Sequence, residues 1–97
     1  MGTRQRHRPD RLAAKLSQIR DALGLSQNEM ISRMSVGDYV SQRTLSEFEL
    51  GKREPPLRLL LQYARVANVY LEVLADDELD LPAKLPSAKK SEGVRRR

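Results

Sequence analysis

Ser41-Gln42-Arg43-Thr44, with Ser46 one turn later, places an amide, a guanidinium and hydroxyls at the start of one short segment. At about 100° per residue, Leu45 and Phe48 define one side of a helix there. Arg43, Ser46, Glu47 and Leu50 then lie on the opposite side, and Gln42 projects from the exposed first turn. These groups suit the edges of bases in a major groove. Arginine bridges guanine O6 and N7, and glutamine pairs with adenine N6 and N7. A second cluster precedes it. Ser26 starts another helix, whose first N–H groups point outward beside Gln27, a good seat for a phosphate. Lys52 and Arg53, just past the Phe48 segment, add two more phosphate partners. Each piece alone is ordinary, because a polar outer face is what any soluble helix shows. Order and spacing together carry the reading.

Other chemistries have little to work with. The chain has 97 residues and no cysteine, which removes disulfides, thiol nucleophiles and cysteine-based metal sites. The only histidine is His7, so neither a serine–histidine pair nor a histidine metal cluster is expected. Asp76, Asp77, Glu78 and Asp80 form an acidic run that reads as a solvated segment rather than a metal site. No enzyme, metal or cofactor is expected. The aromatic residues are Tyr39, Phe48, Tyr63 and Tyr70, too few for a base-stacking platform of the kind that binds RNA. No run of about 18 apolar residues is present, and the basic start lacks the apolar stretch of a secretory signal. A cytoplasmic, soluble protein is expected.

The elements that must position these residues are helices. Asp10 is a candidate N-cap for a first helix at about 11–23, with Leu12, Leu16, Ile19 and Leu23 on its apolar stripe and Gly24 as its stop. Ser26 and Glu29 form a capping-box pattern, with Leu25 and Met30 placed as a hydrophobic staple. The second helix then runs through Met30, Ile31 and Met34 and fades near 35–37. Ser41 opens the third helix and Gly51 closes it. A fourth follows Pro55-Pro56, with Leu57, Leu60, Leu61, Ala64 and Ala67 as its expected apolar face. A short fifth covers about 71–74. No alternating strand pattern competes.

Charge is concentrated at the ends. Residues 12–75 carry eight basic and seven acidic side chains, whereas 83–97 carry six basic and one acidic. The expected organisation is a basic disordered arm at 1–9, one domain at 10–76, and an acidic-then-basic flexible tail at 77–97.

Gly24-Leu25-Ser26-Gln27-Asn28-Glu29-Met30, followed by Ser41-Gln42-Arg43-Thr44-Leu45-Ser46-Glu47-Phe48-Glu49-Leu50-Gly51-Lys52-Arg53-Glu54-Pro55, resembles the phage repressor/Cro-type helix-turn-helix family. The likeness continues through Leu57, Leu60, Leu61, Ala64, Ala67 and Val69 to Leu74, about two-thirds of the chain. The resemblance implies an all-α, compact five-helix repressor-like DNA-binding domain that acts on transcription, often as a homodimer. It implies base contacts from Gln42, Arg43 and Ser46, and phosphate contacts from Gln27, Thr44, Lys52 and Arg53. It also implies an ion pair between Arg20 and Glu49, and both positions fall at the edge of their helices' apolar faces. Double-stranded DNA is the expected partner. The competing reading is a protein-interaction module or antitoxin component on the same scaffold, with the chain ends and the acidic run as its partner surfaces.

Two departures from the family pattern stand out. Ser35 occupies the place where glycine usually follows helix two, and Val36-Gly37-Asp38-Tyr39-Val40 lengthens the turn by about four residues. Tyr39 there is placed either to reach a phosphate or to cover the edge of the core, and the core reading is favoured. Asn68 replaces a second common glycine, a mild change because Asn tolerates the left-handed conformation.

Overall fold

A computed structural model describes residues 11–86. Five helices follow in order: α1 (Leu12–Leu23), α2 (Gln27–Met34), α3 (Gln42–Glu49), α4 (Leu57–Ala67) and α5 (Leu71–Ala75). No strand occurs among the described residues. α1 packs against α3, α4 and α5, while α2 packs against α3 and α4. One apolar cluster results, built from Leu12, Leu16 and Ile19 of α1, Met30, Ile31 and Met34 of α2, and Leu45 and Phe48 of α3. α4 and α5 close it with Leu59, Leu60, Tyr63, Ala64, Ala67 and Leu74.

Four of the helices end the same way. Leu25, Val36, Lys52 and Val69 donate their N–H groups back to the carbonyls of Arg20, Ile31, Glu47 and Ala64, at 2.9–3.2 Å. This wrapped ending needs a left-handed residue just before each donor. Gly24 and Gly51 supply it at φ +71° and +79°, but the other two positions are Ser35 at +59° and Asn68 at +62°. Serine gains nothing from this conformation and bears its steric cost. Ser35→Gly should therefore raise stability by about 0.5–1 kcal/mol, whereas Asn68→Gly should stay within about 0.5 kcal/mol of the parent. Thermal melts of the two variants check the contrast.

The fourth helix is rotated from the expected face. Leu57 is 69% exposed and Leu61 only half-buried, while Leu59 and Tyr63 are fully buried. The run Leu57-Arg58-Leu59-Leu60-Leu61 is apolar on several sides, so its local pattern leaves the rotation open. The Tyr63 ring, with a phenol that needs a partner, sets it.

The start of α1 also differs. Asp10, the expected cap, lies outside the described residues. Arg11 stands at the N-cap position without a side-chain cap bond, and its own N–H donates to Asp77 Oδ1 at 3.0 Å. The Arg11 guanidinium reaches the Asp77 carbonyl and forms an ion pair with Asp80. That guanidinium holds the Asp80 carboxyl below its ordinary range. One turn further along, Lys15 is buried within the apolar stripe of α1. Its Nζ donates to the carbonyls of Val73 (2.7 Å) and Asp76 (2.9 Å) at the end of α5. An anion thus meets the positive end of α1 and a cation the negative end of α5.

Residues 77–86, expected as the start of a flexible tail, run along the domain. Leu81 is buried in the core and Leu85 packs against it, carrying the chain along α1 past Gln18 and Ala22. The expected arm at 1–9 and the end of the tail, 87–97, lie outside the described residues.

Candidate nucleic-acid interface

Local capping aligns the two helices that matter most. Ser26 Oγ accepts the Glu29 N–H at 3.1 Å, and Glu29 Oε1 accepts the Ser26 N–H at 2.8 Å. That backbone N–H holds the Glu29 carboxyl below its usual range. Helical bonding in α2 begins with the Met30 N–H to the Ser26 carbonyl, so the Gln27 and Asn28 N–H groups have no acceptor within the helix. α3 is capped in the same manner, with Ser41 Oγ accepting the Thr44 N–H at 3.2 Å. Thr44 Oγ1 lies 3.0 Å from the same Ser41 oxygen, which folds the Thr44 side chain onto the cap.

Leu45 and Phe48 seal the inner side of α3 in the core. The outer side is open. Gln42 and Arg43 are exposed, Ser46 and Glu47 are half-buried, and Leu50 is 65% exposed at the end of the column. The 36–40 loop leaves these groups uncovered, because Val36 and Val40 turn into the core and Tyr39 packs against its edge.

Beneath this face sits a polar hub. Glu49, only 5% exposed in its side chain, receives both arms of the Arg20 fork, Nε at 2.8 Å and Nη2 at 3.0 Å. Arg20 Nη1 donates in turn to the Leu25 carbonyl at 2.9 Å, tying the α1–α2 corner to α3. The hydrogen bond to Glu49 raises the Arg20 pKa, so the guanidinium is charged at any working pH. Tyr63 OH donates to Glu49 Oε2 at 3.3 Å, and burial, aided by the Glu49 charge, pushes the phenol's pKa upward.

The hub extends to the surface through Gln27. Its Nε2 donates to Glu49 Oε1 at 3.2 Å, and its Oε1 accepts from Gln42 Nε2 at 3.3 Å. A partly buried ion pair, a half-buried amide and an exposed amide therefore form one chain of hydrogen bonds across three helices. Sequence alone points Gln27 toward a phosphate and reveals neither this link nor the part played by Tyr63. The signal for Tyr63 was present, since it lies three residues after Leu60 on the buried side of α4.

Lys52 is exposed beyond α3. Arg53 is exposed too, but its Nε pairs with Glu47 Oε1 at 3.1 Å, so a phosphate would share its guanidinium with that carboxylate. Among the described residues no cluster of three or more His, Cys, Asp or Glu side chains could hold a metal ion. No helix there is long and apolar enough to cross a membrane.

A family model described as helix-turn-helix matches residues 16–74, from the middle of α1 to α5. No curated protein and no solved structure matches the chain.

Proposed function

Because this chain belongs to the Cro/C1-type helix-turn-helix family, a family of DNA-binding transcriptional regulators, we propose that it reads a specific duplex site through α3 and represses transcription from it. The observation that carries this reading is the exposure of Gln42 and Arg43 at a capped helix start whose other side is buried. Gln42, Arg43 and Ser46 face the base edges, while Thr44, Lys52, Arg53 and the start of α2 at Gln27 address the flanking phosphates. Gln27 holds Gln42 in place as well, so the amide meets the groove already oriented. A small domain seated on duplex DNA excludes other proteins from the same base pairs, which makes repression the simplest outcome. The protein would then work in the cytoplasm, on DNA.

Binding-site selection from random duplex DNA tests the reading directly. A recovered consensus supports it, and a palindromic one indicates a homodimer on two half-sites. Recovery of no preferred sequence rejects it. On the recovered site, Arg43→Ala should relax preference at one position by about 1–3 kcal/mol. Lys52→Ala should weaken every duplex alike and make the salt dependence shallower by about one unit of slope. Competition binding on single-base variants separates these two effects. The protein-module reading gains no support from the acidic run, because Asp77 and Asp80 are engaged by Arg11 within the domain.

A further inference from the structure

The inserted loop does more than lengthen a turn. Tyr39 and Val40 both donate their N–H groups to the Val36 carbonyl, at 3.0 and 2.9 Å, and the buried Val36 and Val40 anchor the two ends. The Tyr39 ring is thereby held at the edge of the core, and the Arg58 guanidinium lies over it, 3.7 Å from the centroid. We propose that Arg58, stacked on Tyr39, is an additional DNA-backbone contact that grips a phosphate beside the start of α3. The proposal rests on the regulator reading above and adds a contact from the loop and α4 to the interface.

Three features support it. Arg58 Cζ sits over the ring face, and a guanidinium held there still has N–H donors in its own plane to offer a phosphate oxygen pair. Tyr39 stands two residues before the Ser41 cap, at most about 7 Å of backbone, so the loop that carries the ring leads directly into the end of α3 assigned to the groove. That end of a recognition helix is flanked by backbone phosphates. Finally, Arg58 is the second residue of α4, where a cation opposes the helix dipole. Helix stability therefore does not account for it. A docked anion would relieve the opposition.

The test uses the full chain and the duplex that it selects. Affinity is measured between about 50 and 200 mM salt for the parent, Arg58→Ala and Arg58→Lys, with a thermal melt of each. Arg58→Ala should reduce the slope of log affinity against log salt by about one and lose roughly three- to tenfold in affinity, on selected and scrambled duplexes alike. Arg58→Lys should keep the parent slope. If the alanine variant melts below the assay temperature, Arg58→Gln takes its place. A folded, charge-neutral variant with the parent slope overturns the proposal and leaves the stack as a clamp on the loop. If the parent selects no site at all, the regulator reading fails and this contact with it. A selected site with an unchanged slope rejects the contact alone.

Discussion

Glu49→Ala will lower the melting temperature by at least about 15 °C, the equivalent of about 3–5 kcal/mol. The carboxylate is the common acceptor for the Arg20 fork, the Gln27 amide and the Tyr63 hydroxyl. Removing it strands a partly buried cation with only the Leu25 carbonyl as acceptor, and it leaves a buried phenol unpaired. The loss therefore exceeds what the ion pair contributes by itself. Replacing both partners with apolar residues, Arg20→Met with Glu49→Leu, should recover much of the loss, because no uncompensated charge then remains. Thermal or urea melts of the single and double variants measure the difference. A single variant that melts with the parent would show that the hub does not hold α1 to α3. The functional consequence follows from the same bonds. α3 owes its orientation, and Gln42 its restraint, to this hub.

Lys15→Ala should cost about 3–4 kcal/mol, the second-largest loss expected from one substitution. Lys15 is 2% exposed, so truncation opens a cavity in the stripe of α1 as well as removing the ammonium. Burial pushes the Lys15 pKa down, and the two carbonyls at the end of α5 are what the charged form gains in return. Lys15→Met keeps the stem packed and should recover at least half the loss, which isolates the share due to the ammonium. Urea unfolding gives the totals. Hydrogen exchange should show protection lost first in α5 and in the 77–86 segment that Leu81 anchors. A Lys15→Ala variant within about 1 kcal/mol of the parent would mean that α5 is held by its apolar contacts alone.

Much of this molecule was legible in the chain because much of it is local. The capping box at Ser26 and Glu29, the Ser41 cap, and the left-handed stop at Gly51 all depend on neighbours within six residues. So does the division of α3 into a buried Leu45–Phe48 side and an open Arg43 side, since a helix turns by a constant angle per residue. The edge positions of Arg20 and Glu49 were visible in the same way.

What the pattern could not contain were relations between distant groups. Whether Gln27 turns to a phosphate or to Glu49 depends on a residue 22 positions away, and Gln42 is held from 15 positions away. The rotation of α4 was ambiguous because four of its first five residues are leucine and face in several directions. Only the pocket that accepts the Tyr63 ring decided it. Lys15 breaks the apolar stripe of α1, and nothing nearby explains it until the end of α5 arrives with two free carbonyl lone pairs. The acidic run is largely exposed, as its composition suggests, but its ion-pair partner Arg11 was hidden from the local pattern because it lies 66 residues upstream of Asp77. Periodicity and capping are written in short stretches of sequence. The pairing of buried polar groups is a property of three-dimensional proximity, so only the assembled fold could decide it.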